Sequence, residues 1–227
     1  MKFIIFGLGN FGSSLALTLT EMGHEVIGID NSMSKVDGLK DKITHTIKMD
    51  STDPLAVGKL PFKETDIVVV AIGEDEGANI MTTALLKQYK PKRLISRAVS
   101  PLHETVLEAM EVDEIVHPEE ETALRWAKKV NISGVIDSFE LTGDYNIIEA
   151  KVPKRYEGKT LQEVKFRKTY NVLVLTTIIQ KEEKNIIGVN KKVNEVQGVA
   201  SPKTVLEPGL ILVLYGNIKD IKRLLKP

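Results

Sequence analysis

The sequence predicts an α/β protein: a doubly wound parallel sheet followed by a smaller α+β C-terminal domain. Three observations carry that expectation. The apolar run Phe3-Ile4-Ile5-Phe6 leads straight into Gly7-Leu8-Gly9-Asn10-Phe11-Gly12 and then into a helix-like segment, Ser13 to Met22. Apolar runs and helix-like segments go on alternating to about residue 118. Beyond Gly134 that alternation gives way to short strands of period two, separated by turn-formers.

The opening stretch is a dinucleotide fingerprint set between a strand and a helix, so the first domain is expected to be Rossmann-like. Gly7 permits the tight turn. Gly9 lets the backbone approach a pyrophosphate, and Gly12 brings the helix close to the strand. The start of the helix, with Asn10 and Phe11 in the loop, offers free N–H groups and the positive end of the helix dipole to phosphate. A second apolar run ends at Asp30, where a carboxylate can accept hydrogen bonds from ribose hydroxyls, with Asn31 beside it. No arginine follows closely, which disfavours a 2′-phosphate.

Asn31-Ser32 caps a helix running to about Leu39, and Ile43 to Met49 forms a third strand ending at Asp50-Ser51-Thr52-Asp53-Pro54. Two readings of that polar cluster stand side by side. Asp50 or Ser51 meets the adenosine half of a ligand, or Ser51, Thr52 and Asp53 cap a short helix with Pro54 at its first position. Ile67 to Ile72 is a continuous β-branched run, the pattern of a central strand buried on both faces. It ends at Ile72-Gly73, across the crevice from the glycine loop. A helix from about Asn79 to Tyr89 precedes a fifth strand, Lys92 to Arg97. Arg97 stands at that strand's carboxyl end, placed to reach a phosphate or a carboxylate.

A helix from Pro101 to Met110 and a sixth strand, Glu114 to Val116, complete the sheet. The next helix, Glu119 to Val130, then carries Ala123, Trp126, Ala127 and Val130 at helical spacing. This stripe points to contact with another subunit, packing within the chain being the simpler alternative. The domains are read as 1–134, including the helix 119–130, and 135–227. The second should contain strands at Ser138 to Leu141, Asn146 to Val152, Val172 to Ile179 and Leu210 to Tyr215, with short helices at Leu161 to Arg167 and Ile218 to Leu225.

Composition narrows the function. Lys+Arg and Asp+Glu both number 31 in 227 residues, which argues against a general nucleic-acid surface. The chain has no cysteine, hence no disulfide, thiolate metal site or cysteine nucleophile, as suits a reducing cytosol. Its apolar runs are too short for a signal peptide or a membrane span, so any membrane link is expected to go through a partner. The four histidines, His24, His45, His103 and His117, form no metal pair and no partnered catalytic arrangement. A nucleotide cleft without catalytic groups suits a sensor, in which the ligand shifts a conformational equilibrium. The competing reading is a small NAD-dependent oxidoreductase.

The order of these features resembles the RCK (regulator of K⁺ conductance) family, specifically the single-RCK cytosolic subunits of Trk and Ktr potassium-uptake systems. The resemblance rests on Ile5 to Gly12, Gly23-His24-Glu25-Val26 leading to Asp30, Val69 to Gly73, Arg97-Ala98, His103 and Ile115 to Glu119, and on a C-terminal domain of RCK-C (TrkA-C) size. It implies a cytoplasmic regulatory subunit, not an enzyme, that docks on a membrane K⁺ channel or transporter subunit of TrkH/KtrB type. It also implies a homodimer assembling into an octameric gating ring, with the helix from Glu119 as crossover helix. By the family's motif, Gly7, Gly9, Gly12 and Asp30 hold the phosphates and ribose of NAD(H), ATP or ADP. Asp50 and Ser51 lie near the adenine, and Arg97 reaches phosphate. Glu119 matches a glutamate that takes Mg²⁺ or Ca²⁺ between subunits; read by itself, it is an acid favouring a helix N-terminus. Some relatives bind cyclic di-AMP in the C-terminal domain, where Arg167 matches and Leu161-Gln162 replaces an apolar pair.

Overall fold

A computed structural model describes residues 1–184 and 190–226 of the chain, which divides into two compact units, Met1–Glu120 and Glu121–Pro227. In the first unit, strands and helices alternate as β1 (Lys2–Phe6), α1 (Asn10–Glu21), β2 (Glu25–Asp30), α2 (Met33–Leu39), β3 (His45–Lys48), α3 (Pro54–Val57), β4 (Ile67–Val70), α4 (Glu76–Tyr89), β5 (Leu94–Arg97), α5 (Pro101–Ala109) and β6 (Glu114–Val116). The six strands are parallel, in the order β3-β2-β1-β4-β5-β6. The order reverses between β1 and β4, and a crevice opens at the carboxyl ends of these two strands.

The absence of alternation in β1 and β4 has its cause in two cores. Phe3, Ile5 and Val69 pack on one face with Ala16 of α1 and Val36 of α2. Ile4, Phe6, Val68 and Val70 pack on the other with Leu85 and Leu86 of α4. A strand covered on both sides needs apolar residues at every position. One boundary moves from its expected place. Helix α4 begins at Glu76 rather than near Asn79, because the Asp75 carboxylate accepts the Ala78 N–H at 2.9 Å and caps an earlier start. Helix α6 (Pro118–Asn131) starts in the last residues of this unit and runs mostly within the second; it has no buried residue, with Trp126 55% and Val130 75% exposed.

The second unit is a five-stranded antiparallel sheet in the order β10-β9-β11-β8-β7. Its strands are β7 (Val135–Thr142), β8 (Tyr145–Lys151), β9 (Leu173–Lys184), β10 (Asn190–Val199) and β11 (Ile211–Asn217). Helices α7 (Leu161–Val164), α8 (Phe166–Tyr170) and α9 (Ile218–Leu225) cover one face, where Ile148, Leu212 and Leu214 meet Val164, Phe166, Ile221 and Leu224. The helix expected over Leu161 to Arg167 is broken in two at Lys165, whose φ of 54° no α-helix continues through. A capping box between Thr160 and Glu163 starts the first piece. Strand β10 goes beyond the expectation.

Candidate functional site

The three glycines of the first loop do different work. Gly7 has φ +94°, and a Cβ there would stand 2.9 Å from the Ile72 nitrogen; at Gly12 a Cβ would fall 1.9 Å from the Gly7 carbonyl oxygen. Both are demanded by the fold itself. Gly9 is the N-cap of α1 with φ −67°, and nothing lies within 4 Å of where its Cβ would be. The protein therefore makes no use of the missing side chain at residue 9. The space in front of it is open, and the first N–H groups of α1 border it with no side-chain cap.

That space is part of a cavity of about 290 Å³ at the β1/β4 switch point. Gly7, Gly9, Asn10, Phe11, Asp30, Asn31, Asp50, Ser51, Ile72, Gly73, Arg97 and Glu119 all line it, while Gly12 lies beneath the loop and does not. Asp30 is nearly buried, and it serves the loop as well as the cavity: it accepts the Leu8 N–H at 2.7 Å and the Ser32 N–H at 2.8 Å. Lone pairs remain for a ribose hydroxyl, since a carboxylate accepts about four hydrogen bonds. At the edge, the capping reading of the polar cluster holds for Asp53 alone. Asp53 caps α3 by accepting the Leu55 N–H at 2.9 Å, with Pro54 at the first turn. Asp50 accepts the hydroxyl and N–H of Thr52, which hold its carboxyl below the usual carboxylate range, and Ser51 accepts from Thr82 at 2.8 Å. Asp50 and Ser51 nonetheless face the cavity.

Sequence reasoning missed several of the lining residues. Lys35, one turn into α2, brings its ammonium 3.9 Å from Asp30 and 3.4 Å from Glu74. No arginine follows Asp30 closely in the chain, but a lysine reaches it from the helix. Met49 and Ala78 also line the cavity, as do Glu74 and Asp75, which the sequence places across the crevice from the glycine loop. Five carboxylates, those of Asp30, Asp50, Glu74, Asp75 and Glu119, face it against two cations, Lys35 and Arg97. An anionic ligand is therefore not drawn by net side-chain charge. Its phosphates would depend on backbone N–H groups and the dipole of α1.

Arg97 lies flat over Gly73, donates to Glu119 Oε1 at 2.5 Å, and reaches the Ala71 carbonyl at 3.5 Å. Behind it, Asn79 ties the ends of β4 and β5 together. Its amide nitrogen donates to the Ile72 and Arg97 carbonyls at 2.8 and 3.1 Å, and its oxygen receives Ser96 at 3.0 Å. His103 completes this buried group, with Nε2 3.2 Å from the same Asn79 oxygen, and burial pushes its pKa down. The residue thus supports the crevice from below and does not line it. Its imidazole has no hydrogen-bond partner besides Asn79 among the described residues. Among the described residues, no group of three or more His, Cys, Asp or Glu is placed to hold a metal ion. None of the described helices is long and apolar enough to cross a membrane.

The profile of the TrkA-N domain matches residues 3–118. The chain belongs to the TrkA-N family of Ktr and Trk potassium-uptake proteins. It is 33% identical over 224 residues to the Ktr system potassium uptake protein C of Bacillus subtilis, covering 98% of this chain and 95% of that protein. It is 28% identical over 222 residues to the same organism's Ktr system potassium uptake protein A, covering 98% and 94%. Among solved structures, the RCK domain of GsuK has a TM-score of 0.65 at 15% identity, with all of this chain matched to 48% of that one. The GsuK channel bound to NAD has a TM-score of 0.64 at 15% identity, with this chain spanning 39% of it. At such identity the two structures establish the fold, both units of this TrkA-N chain included.

Proposed function

We propose that this chain is a nucleotide-sensing regulatory subunit of a potassium-uptake system, acting at the cytoplasmic face of the membrane on a K⁺ channel or transporter subunit of TrkH/KtrB type. The observation that carries the sensing half of the reading is Gly9: a residue the fold does not need as glycine, with empty space before it and an uncapped helix start beside it. Nearly full-length likeness to the Ktr proteins C and A supports the potassium-uptake half. The ligand is NAD(H), ATP or ADP. All share an adenosine whose ribose meets Asp30 and whose phosphates meet the N–H groups after Gly9, with Asp50 and Ser51 at the adenine edge and Arg97 at the far end.

The crevice favours binding over hydride transfer. Its carboxylates are engaged, Asp30 with backbone N–H groups, Asp50 with Thr52, Glu74 with Lys35, Asp75 with the start of α4 and Glu119 with Arg97. No histidine lines this main cavity, and His117, beside an adjoining one, is held by Glu104 at 3.1 Å. The protein is not an enzyme in this reading; the nucleotide works by binding two conformations with different affinity. The uncovered apolar residues of α6 support a homodimer; assembly of such dimers into an octameric ring belongs to the same reading. A Mg²⁺ or Ca²⁺ ion at Glu119 would have to displace Arg97 and recruit ligands from a second copy. Cyclic di-AMP at the second unit would use Arg167, on α8.

Thermal unfolding with NAD⁺, NADH, ATP and ADP, beside a Gly9→Asp variant, tests the reading. A ligand at about a hundredfold its dissociation constant stabilises by roughly 2.7 kcal/mol. The wild type is expected to shift and the variant not, the two melting alike without ligand because residue 9 has room for a side chain. No shift for any of the four would refute nucleotide sensing.

A further inference from the structure

We propose that the Arg97–Glu119 pair is a partition that sets the length of nucleotide the crevice admits: closed, a mononucleotide; open, a dinucleotide. The inference rests on the nucleotide reading above and specifies which ligands that site takes. A second cavity, of about 260 Å³, adjoins the main one, and three residues line both: Gly73, Arg97 and Glu119. The main cavity holds what adenosine and its first phosphates require, namely Asp30, the glycine loop and the edge at Asp50 and Ser51. At about 290 Å³ it is at the low end of the roughly 300–1,000 Å³ usual for small-molecule sites. The second, bordered by Ala98, Val99 and His117, has space but no glycine loop of its own. A ligand longer than a mononucleotide has to pass between Gly73 and Glu119.

The pair has one fixed and one mobile member. The Arg97 side chain is 16% exposed and rests on Gly73 in space that only glycine leaves, since a Cβ there would stand 2.2 Å from Nη1 and 2.4 Å from Cζ. Glu119 is 63% exposed, so its carboxylate can swing into water at little cost. An ion pair with one member in solvent holds the closed state by only about fivefold. A ligand that needs the open state binds more weakly by that same population factor. A mononucleotide does not pay it.

Calorimetric titration of the wild type, Glu119→Gln and Glu119→Ala with AMP, ADP and NAD⁺ tests the partition. Glutamine keeps the length of the side chain and a hydrogen bond to Arg97 while removing the charge; alanine removes the wall. The expected result is that NAD⁺ binds about fivefold more tightly to Glu119→Ala and gains less than half that factor with Glu119→Gln. ADP should change equally in both variants, and AMP in neither. Equal gains for NAD⁺ in the two variants, or gains that simply follow ligand charge, would overturn the partition and leave the nucleotide site standing. Failure of the wild type to bind any of the three would overturn the underlying reading, and the partition with it.

Discussion

In the first unit the sheet is covered on both faces, and its polar side chains collect where strands end: Asp30 as the last residue of β2, Asp50 just past β3, Arg97 as the last residue of β5. In the second unit helices cover one face, and on the other Phe139, Ile147, Tyr215 and Leu173 stand in cross-strand register over four strands. Phe139 is 65% exposed there and Leu173 47%. A doubly covered sheet has no surface left for a ligand except the crevice at its switch point, so chemistry concentrates in a few loops. A sheet with an open face offers area, which suits contact with another surface more than capture of a small molecule. The same contrast separates residues the fold requires from residues it can spare, and substitutions divide along it.

The largest effect is expected within the glycine loop itself. Gly12→Ala places a methyl 1.9 Å from the Gly7 oxygen, and the helix has to move off the strand. More than about 3 kcal/mol should be lost in urea unfolding, beyond the usual cost of an overpacked core. Gly9→Asp should stay within about 0.5 kcal/mol of the wild type in the same experiment, as surface substitutions do. If the two variants were equally destabilised, Gly9 would belong to the fold and the division within the loop would fail.

Next in size is a truncation in the second unit. Leu212 is fully buried on β11, the central strand of its sheet, and Leu212→Ala should cost about 3 kcal/mol through lost burial and the cavity left behind. Its nucleotide affinity, measured below the melting range, should stay within about twofold of the wild type, because residues in separate cores act independently. A large loss of affinity would mean that the first unit's crevice depends on the second unit's packing.

Much of this was legible in the sequence, for reasons that differ from residue to residue. Gly7 and Gly12 could be read because the steric demands of a strand-to-helix turn are local. Asp30 was placed correctly at the end of β2, but its hydrogen bonds to Leu8 and Ser32 are a consequence of folding that spacing does not announce. Lys35 and Asn79 were missed because each acts across the sheet, on groups 39 and 18 residues away. The only trace of Asn79 was an amide at helical spacing with Thr82, Thr83 and Leu86 on the buried side of α4. Strand β10 escaped notice because it is an edge strand with Val196 and Val199 exposed, so it lacks the alternation that burial of one face imposes. Lys165 gave no sign of a helix break, since nothing local favours the left-handed conformation for lysine.

The smallest effect, and the one that separates support from contact most finely, concerns His103. The side chain is 1% exposed, burial lowers its pKa, and the negative charge of Glu76 offsets this in part. The folded-state value is thus below that of the unfolded chain, about 6.5. As pH falls, the unfolded chain takes up the proton first. The contribution of this group to stability is therefore complete above about pH 6.5 and is lost as pH falls from there through the folded-state value. His103→Gln, neutral at every pH, should flatten the dependence of the urea midpoint below about pH 6.5 and leave it unchanged above about pH 7. Carboxylates titrate in both proteins and cancel in the comparison. Because Asn79 joins His103 to the Ile72 and Arg97 carbonyls, acid should also weaken nucleotide binding more in the wild type than in the variant, although His103 does not line the crevice. Parallel profiles for the two proteins would mean that the imidazole is protonated within the fold at no cost. The buried group around Asn79 would then be a passive spacer, not the brace of the crevice's far wall.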